Sequence, residues 1–200
     1  MEKKLTQNNI NLVRVVLFGP ESTGKTTLSR QLARHYNTVW APEFARDYLQ
    51  KKWNNERKTC ELKDILPIAI GQMELENSSA EKADKVLICD TDLLETKVYS
   101  EEYYGGFVDL KLNEAAQENN YDLYLLTYID TPWEEDDLRD KPEERFEMFT
   151  AFENALKKYD KNYILLKGVK ETRIQKAIFE IDKILKDKEN LYSFSEKFNK

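Results

Sequence analysis

Gly19-Pro20-Glu21-Ser22-Thr23-Gly24-Lys25-Thr26 fits the pattern G-x-x-x-x-G-K-[ST], and the apolar run Val13–Phe18 just before it reads as the buried strand such a loop follows. Each residue type in the motif answers a need of a polyphosphate. Gly19 and Gly24 let the backbone turn so that consecutive N–H groups across Glu21, Ser22 and Thr23 point inward at anionic oxygens. Lys25 reaches the β- and γ-phosphates as a point charge, and the Thr26 hydroxyl, followed by Thr27, is placed to ligate Mg²⁺. After Lys25, Leu28, Leu32 and Ala33 recur at helical spacing, so the loop feeds a helix N-terminus whose dipole favours the anion. A chance match in a surface loop would not require strand, loop and helix in that order. The order predicts a nucleoside triphosphate site, with ATP and Mg²⁺ as its ligands.

Outward from the loop, apolar or β-rich runs recur at 13–18, 38–40, 86–89, 123–129 and 163–166. Helical patterns separate them at 25–35, 43–52, 65–83, 108–117, 144–159 and 172–185. The alternation predicts an α/β chain of βαβ units, a parallel β-sheet flanked by helices. The last helix sets Ile174, Ala177, Ile178, Ile181 and Leu185 on one face, to pack on the sheet. Pro67 marks a kink or the first turn of the third helix. The domain is expected over 13–188, after a polar, Asn-rich extension at 1–12 and before a loosely held tail at 189–200. Ligands of such sheets collect at the carboxyl ends of the strands, so the residues just past each strand carry most weight.

Composition bounds the partners. Two hundred residues suit one domain, and a formal net charge of −6 argues against nucleic acid or an anionic membrane. An anionic substrate would need a local basic patch. Cys60 and Cys89 are too few and too far apart for a disulfide framework or a zinc knuckle. With no apolar run of membrane-spanning length and no apolar core near the N-terminus, a cytoplasmic location is expected. The expected partner is a small molecule; a homo-oligomer is compatible with the composition.

Three further segments hold chemistry-bearing residues. Leu87-Ile88-Cys89-Asp90-Thr91-Asp92 is an apolar strand ending in acids, and Asp90, or less favourably Asp92, is placed to hold Mg²⁺ beside Thr26; Thr91 or Asp92 as a cap of the following helix is the alternative. Trp40 to Tyr48 places Glu43 to orient an acceptor hydroxyl and take its proton. A first-turn acid complementing the helix dipole, ion-paired with Arg46, fits the same position. The segment 131–146 is dense in both charge signs and reads as a lid in which Arg139 and Arg145 close on the phosphates and exclude water; a solvated turn is the plainer reading. His35, the single histidine, has a structural role.

Taken together these motifs resemble the ribosylnicotinamide kinase domain of the NadR family, a branch of the P-loop kinases. The resemblance covers roughly residues 14–185. It is carried by the loop at 19–26, Pro42-Glu43-Phe44-Ala45-Arg46, Ile68-Ala69-Ile70-Gly71-Gln72, Asp90-Thr91-Asp92-Leu93 with Thr96, Trp133 through Arg139, and Gly168 with Glu171 and Arg173. It implies a three-layer P-loop NTPase fold with a short lid, and transfer of the ATP γ-phosphate to the ribose 5′-hydroxyl of ribosylnicotinamide. On that reading Glu43 is the acceptor-side acid, Asp90 belongs to the metal and phosphate centre, and Arg46, Gln72 and Asp92 face the substrate, with Gln72 on its carboxamide. Gly168 lies near the adenine, and Lys25, Glu43, Asp90 and Arg139 carry the chemistry. Fuller NadR proteins place an adenylyltransferase domain ahead of the kinase; 1–12 is too short for one, so a single-step kinase is expected. Relatives often carry W-x-D-D-G-x-R in the lid, where this chain has Glu135 and Asp137 for the first acid and the glycine. Pro42 stands where some members have Trp, so Trp40, Phe44 or Tyr48 is expected to give the aromatic face. Other classes consistent with the residues are a kinase of another nucleoside or nucleotide and a nucleotide-dependent regulatory ATPase or GTPase.

Overall fold

A computed structural model describes residues 5–138 and 142–198, with side chains described through residue 190. The elements run β1 (Val13–Phe18), α1 (Lys25–His35), β2 (Trp40–Ala41), α2 (Phe44–Glu56), α3 (Leu62–Ala80), β3 (Val86–Asp90), α4 (Leu93–Tyr103), α5 (Leu110–Glu118), β4 (Leu123–Thr127), α6 (Arg145–Lys158), β5 (Tyr163–Leu166) and α7 (Lys170–Phe198). A single 3₁₀ turn, Pro142–Glu144, leads into α6. The strands form one sheet in the order β2-β3-β1-β4-β5, and every neighbouring pair is parallel.

The strand period of two sorts β1 between two cores. Val13, Val15 and Leu17 point to one face, where Leu28, Leu32 and Ala33 of α1 and Ala177 and Ile181 of α7 cover them. Val16 and Phe18 point to the other, among Ile65, Ala69 and Met73 of α3, Leu94 and Val98 of α4 and Phe152 of α6. Helices on both faces of a parallel sheet make three layers. Because β1 is central and the order reverses around it, a crevice opens beyond its carboxyl end, where the loop from Gly19 begins.

The five strands lie where the alternation predicts them, with β2 shifted to Trp40–Ala41 and β3 extended to Asp90. Pro67 sits inside α3, in its second turn rather than its first. α7 continues to Phe198, past the start of the expected tail; the sequence from Lys170 to Phe198 contains neither glycine nor proline to stop it. The 5–12 segment is docked rather than loose. Leu5 and Leu12 are buried, and the Arg14 guanidinium donates to the carbonyls of Ile10 and Asn8 at 3.1 and 2.8 Å. No helix among the described residues is long and apolar enough to cross a membrane.

Candidate active site

The loop at 19–26 turns sharply at three positive-φ positions: Gly19 (132°), Ser22 (57°) and Gly24 (84°). At Gly19 a side chain is excluded twice over, because a Cβ would lie 2.8 Å from Thr127 Oγ1 and 3.0 Å from the Thr127 carbonyl. Thr127, at the end of β4, shares a 2.7 Å hydrogen bond with the Thr23 hydroxyl and donates to the Phe18 carbonyl at 3.1 Å, so β4 braces the loop from below. Gly24 precedes α1 with no side-chain cap, which leaves the first-turn amides of α1 to an anion. Lys25 Nζ donates to the carbonyls of Gly19 and Pro20 at 2.5 and 3.0 Å and lies 3.2 Å from Glu95.

Three buried acids, Asp90, Asp92 and Glu95, follow at the end of β3 and the start of α4. Asp90 ends β3 at 1% exposure, and neither carboxylate oxygen has a well-formed hydrogen bond among the described residues. Burial first, then the Glu43 charge, raises it to about 6, while the Thr26 hydroxyl and Lys25 oppose the rise. Asp92 is a helix cap: Oδ1 accepts the Glu95 N–H at 2.9 Å and Oδ2 accepts the Tyr124 hydroxyl at 2.8 Å. Both oxygens are spent beneath α4, and this corrects the expectation of a substrate or metal contact there. Glu95, one turn into α4, faces the loop and accepts the Gly19 N–H at 3.3 Å. Nothing in local sequence spacing links residue 95 to residue 25; only the fold brings them together.

Glu43 occupies the N-cap position of α2, yet its side chain makes no capping hydrogen bond, and Arg46 pairs instead with Asp136 at 2.7 Å. Glu43 still lies at the positive end of α2 and its charge reaches Arg46, but Asp136 holds the ion pair with that arginine. Gln72 sets the position of the turn: Oε1 accepts the Phe44 N–H at 2.8 Å and Nε2 donates to the Pro42 carbonyl at 3.2 Å, the two residues flanking Glu43. Gln72 thus serves the turn, and it also lines the cavity between α2, α3 and α4. Phe44 packs on Gly71, where a Cβ would lie 2.3 Å from the ring. The Tyr48 hydroxyl donates to Asp64.

The 131–138 strap is bolted to the loop through Ser22. The Thr131 hydroxyl donates to the Ser22 carbonyl at 2.7 Å, the Glu134 N–H to Ser22 Oγ at 2.8 Å, and Arg145 to the carbonyls of Thr131 and Ser22 at 3.0 and 3.3 Å. Arg145 also lies 5.6 Å from the centre of the Trp133 ring. Its guanidinium holds the strap's backbone. Arg139 lies outside the described residues. On the far side of the loop Gly168, at φ 93°, donates its N–H to Asp130, and its carbonyl accepts from Arg173. Arg173 also donates to the Thr23 carbonyl at 2.9 Å and pairs with Asp130, which places the Gly168 turn beside the loop.

Two cavities meet at this cleft. The larger, about 650 Å³, is lined by Glu21 through Thr27, Arg30, Trp40, Glu43, Arg46 and Asp90. The smaller, about 140 Å³, runs between α2, α3 and α4 past Gln72, Glu95, Thr96 and three tyrosines, Tyr99, Tyr103 and Tyr104. Glu21, Glu43, Leu49, Tyr99 and Leu138 belong to both walls. Neither Phe44 nor Tyr48 lines the smaller cavity, and Trp40 lines the larger one; the aromatic rings on the smaller cavity's wall are the tyrosines of α4 and the turn after it. Among the described residues no group of three or more His, Cys, Asp or Glu side chains could hold a metal by itself.

The chain is 33% identical over 128 residues to the trifunctional NAD biosynthesis/regulator protein NadR of Salmonella typhimurium, a match covering 62% of this chain and 30% of that one. The chain thus spans about a third of the length of the curated relatives it matches. Its fold superposes on a NadR protein crystallised with NR at a TM-score of 0.72 and 22% identity, over 86% of this chain and 51% of the other. A deoxyadenosine kinase from M. mycoides with bound dATP matches at 0.56 and 16% identity, over 85% and 99%. The fold is that of the P-loop kinases, and NadR is a homologue. The family profile described as AAA domain matches residues 14–173, most of the sequence, so the chain belongs to the AAA domain family.

Proposed function

We propose that the protein is an ATP-dependent kinase that phosphorylates the ribose 5′-hydroxyl of ribosylnicotinamide, giving nicotinamide mononucleotide and ADP. The observation that carries the reading is the meeting of the two cavities at Glu43, one walled by a phosphate loop and the other by tyrosines and acids. The likeness to NadR supports the acceptor, and a cytoplasmic location goes with it. The smaller cavity has Glu21, Glu43 and Glu95 on its walls and no lysine or arginine among the described lining, which suits a neutral or cationic nucleoside and opposes a phosphorylated one.

In the proposed reaction Glu43 holds the acceptor hydroxyl toward the phosphate loop and takes its proton as the new O–P bond forms. The bond from the γ-phosphorus to the β–γ bridging oxygen breaks, and the electron pair leaves with ADP. Lys25 and the amides of the loop and the α1 N-terminus hold the charge that spreads over the transferring group. The strap tied to Ser22 covers the cleft and limits water access. Thr26 and Asp90, whose oxygens make no well-formed hydrogen bond among the described residues, fit Mg²⁺, a buried carboxylate beside a hydroxyl being a donor set that a hard cation satisfies. When bound there, the ion would neutralise phosphate charge.

A panel of nucleosides incubated with ATP and Mg²⁺, with products identified by mass, tests the reading. Ribosylnicotinamide is expected to give the monophosphate with stoichiometric ADP. If a deoxynucleoside is phosphorylated instead, the acceptor is wrong and the kinase stands; ATP hydrolysis with no phosphorylated acceptor would favour a regulatory ATPase.

A further inference from the structure

Glu95 is 2% exposed and Lys25 8%, and they are 3.2 Å apart. The same carboxylate accepts the Gly19 N–H, so it holds both the cation of the phosphate loop and one of the loop's amides, two groups that an anionic ligand would otherwise claim. The site thus contains an acid in the place of a competitor. Lys25 is the cation close to it; its remaining charged neighbours, Glu43 on α2 and Asp92 at the start of α4, are acids, and Tyr99 faces it from its own helix. A buried carboxylate stays ionised only with a partner, and here the partner is the lysine that the proposed reaction needs elsewhere.

We infer that Glu95 is the resting counter-ion of the P-loop lysine, and that nucleotide binding draws Lys25 onto the phosphates and obliges the deserted carboxyl to take one proton from solvent. Charge balances: the nucleotide brings its own negative charge to Lys25, and the proton neutralises the acid left among acids. Glu95 is a positioning residue, acting on the nucleotide through Lys25. The inference rests on the reading of 19–26 as the phosphate site. It makes affinity for nucleotide depend on pH in a range where the neighbouring acids are silent. Burial pushes Glu95 up to about 8, held back by Lys25, whereas Asp90 and Asp92 lie at about 6 and Tyr99 far above the range. At about pH 8.5 the resting Glu95 is about three-quarters ionised, the two aspartates fully so, and uptake by Glu95 stands alone.

The test is isothermal titration of the full chain with ADP and Mg²⁺ at about pH 8.5, in buffers of differing ionisation enthalpy. The wild type is expected to take up as much as about three-quarters of a proton per ADP bound at that pH, and its affinity to fall by up to about tenfold per pH unit above it. Glu95→Gln is expected to bind ADP with no proton uptake and with affinity equal or higher by up to roughly tenfold, because no charge competes for Lys25. Tight ADP binding by the wild type with no uptake, or unchanged uptake in Glu95→Gln, overturns the inference and leaves the phosphate site standing. Should Glu95→Gln fail to fold, the wild-type buffer series decides alone. Absence of ADP binding by the wild type would remove the phosphate-site reading itself, and the inference with it.

Discussion

At the scale of single residues the cleft is governed by where carboxylates find partners. Asp92 is satisfied and structural, Asp90 has no well-formed hydrogen bond among the described residues, and Glu43 is placed by a glutamine that grips the residues on either side of it. Glu43→Gln is expected to lower kcat by about 100- to 10,000-fold while ADP affinity stays within a few-fold, read by steady-state kinetics and titration. An unchanged kcat would move the base elsewhere. Gln72→Leu removes both hydrogen bonds to the β2–α2 turn; about 1–3 kcal/mol of stability and roughly 100-fold in kcat are expected to go with them. A folded variant with wild-type kcat would show that the turn holds itself. The motif residues at 19–27, Glu43 and Asp90 are legible in the sequence because phosphate chemistry fixes residue types at short spacing. Glu95, the Gln72 clamp and Tyr99, Tyr103 and Tyr104 are not, because their partners come from distant segments that only the packed helices bring near.

The elements divide the work between rigid and adjustable parts. β1, β3 and β4 are fully buried and fix the floor of the cleft, and their apolar runs are why the sheet was readable from sequence. α2, which walls the smaller cavity together with α3, has a thinner attachment, with Lys52 its buried residue. Lys52 of α2 pairs with Asp64 of α3 and lies 2.6 Å from Glu61, and Asp64 also accepts the Glu61 N–H at 2.8 Å, closing the start of α3. This knot was invisible in sequence, since a lysine on a helix ordinarily reads as a solvated face. Lys52→Met keeps the packing and strands Asp64, and because Glu61 stays partly in solvent a loss of about 1–3 kcal/mol is expected in urea unfolding. A midpoint unchanged from wild type would count against the knot. The strap crosses from the loop to α2, anchored at Ser22 on one side and, through Asp136, at Arg46 on the other. Its hydrogen bonds could not be read from the charge-dense sequence at 131–146, which gives position but no partner.

For the whole molecule, acids concentrated in the interior make stability depend on pH with an unusual sign. Glu76, at 1% exposure, accepts from Gln7 and Tyr121 and lies 3.8 Å from Arg14, and burial raises it to about 7 from an ordinary 4.5. A rise of that size corresponds to on the order of 3 kcal/mol. The folded chain binds this proton more tightly than the unfolded one, so the stabilisation is complete below about 4.5 and lost as pH climbs through about 7; Asp90 and Asp92 act in the same sense up to about 6. Glu61, lowered to about 2 by Lys52 and Lys63, works oppositely but only below the ordinary carboxylate range. The melting temperature is therefore expected to fall between about pH 5 and pH 8, more gently in Glu76→Gln, and a flat profile would contradict the burial of these charges. The same interior places the 19–26 loop and the tyrosine-lined cavity on either side of Glu43, and the proposed reaction is transfer between them. Its most direct measurement is single-turnover transfer from γ-labelled ATP with Mg²⁺ and ribosylnicotinamide: label is expected in the nicotinamide mononucleotide 5′-phosphate at one equivalent per ADP formed, and label found only in inorganic phosphate, with nucleotide bound, would contradict it.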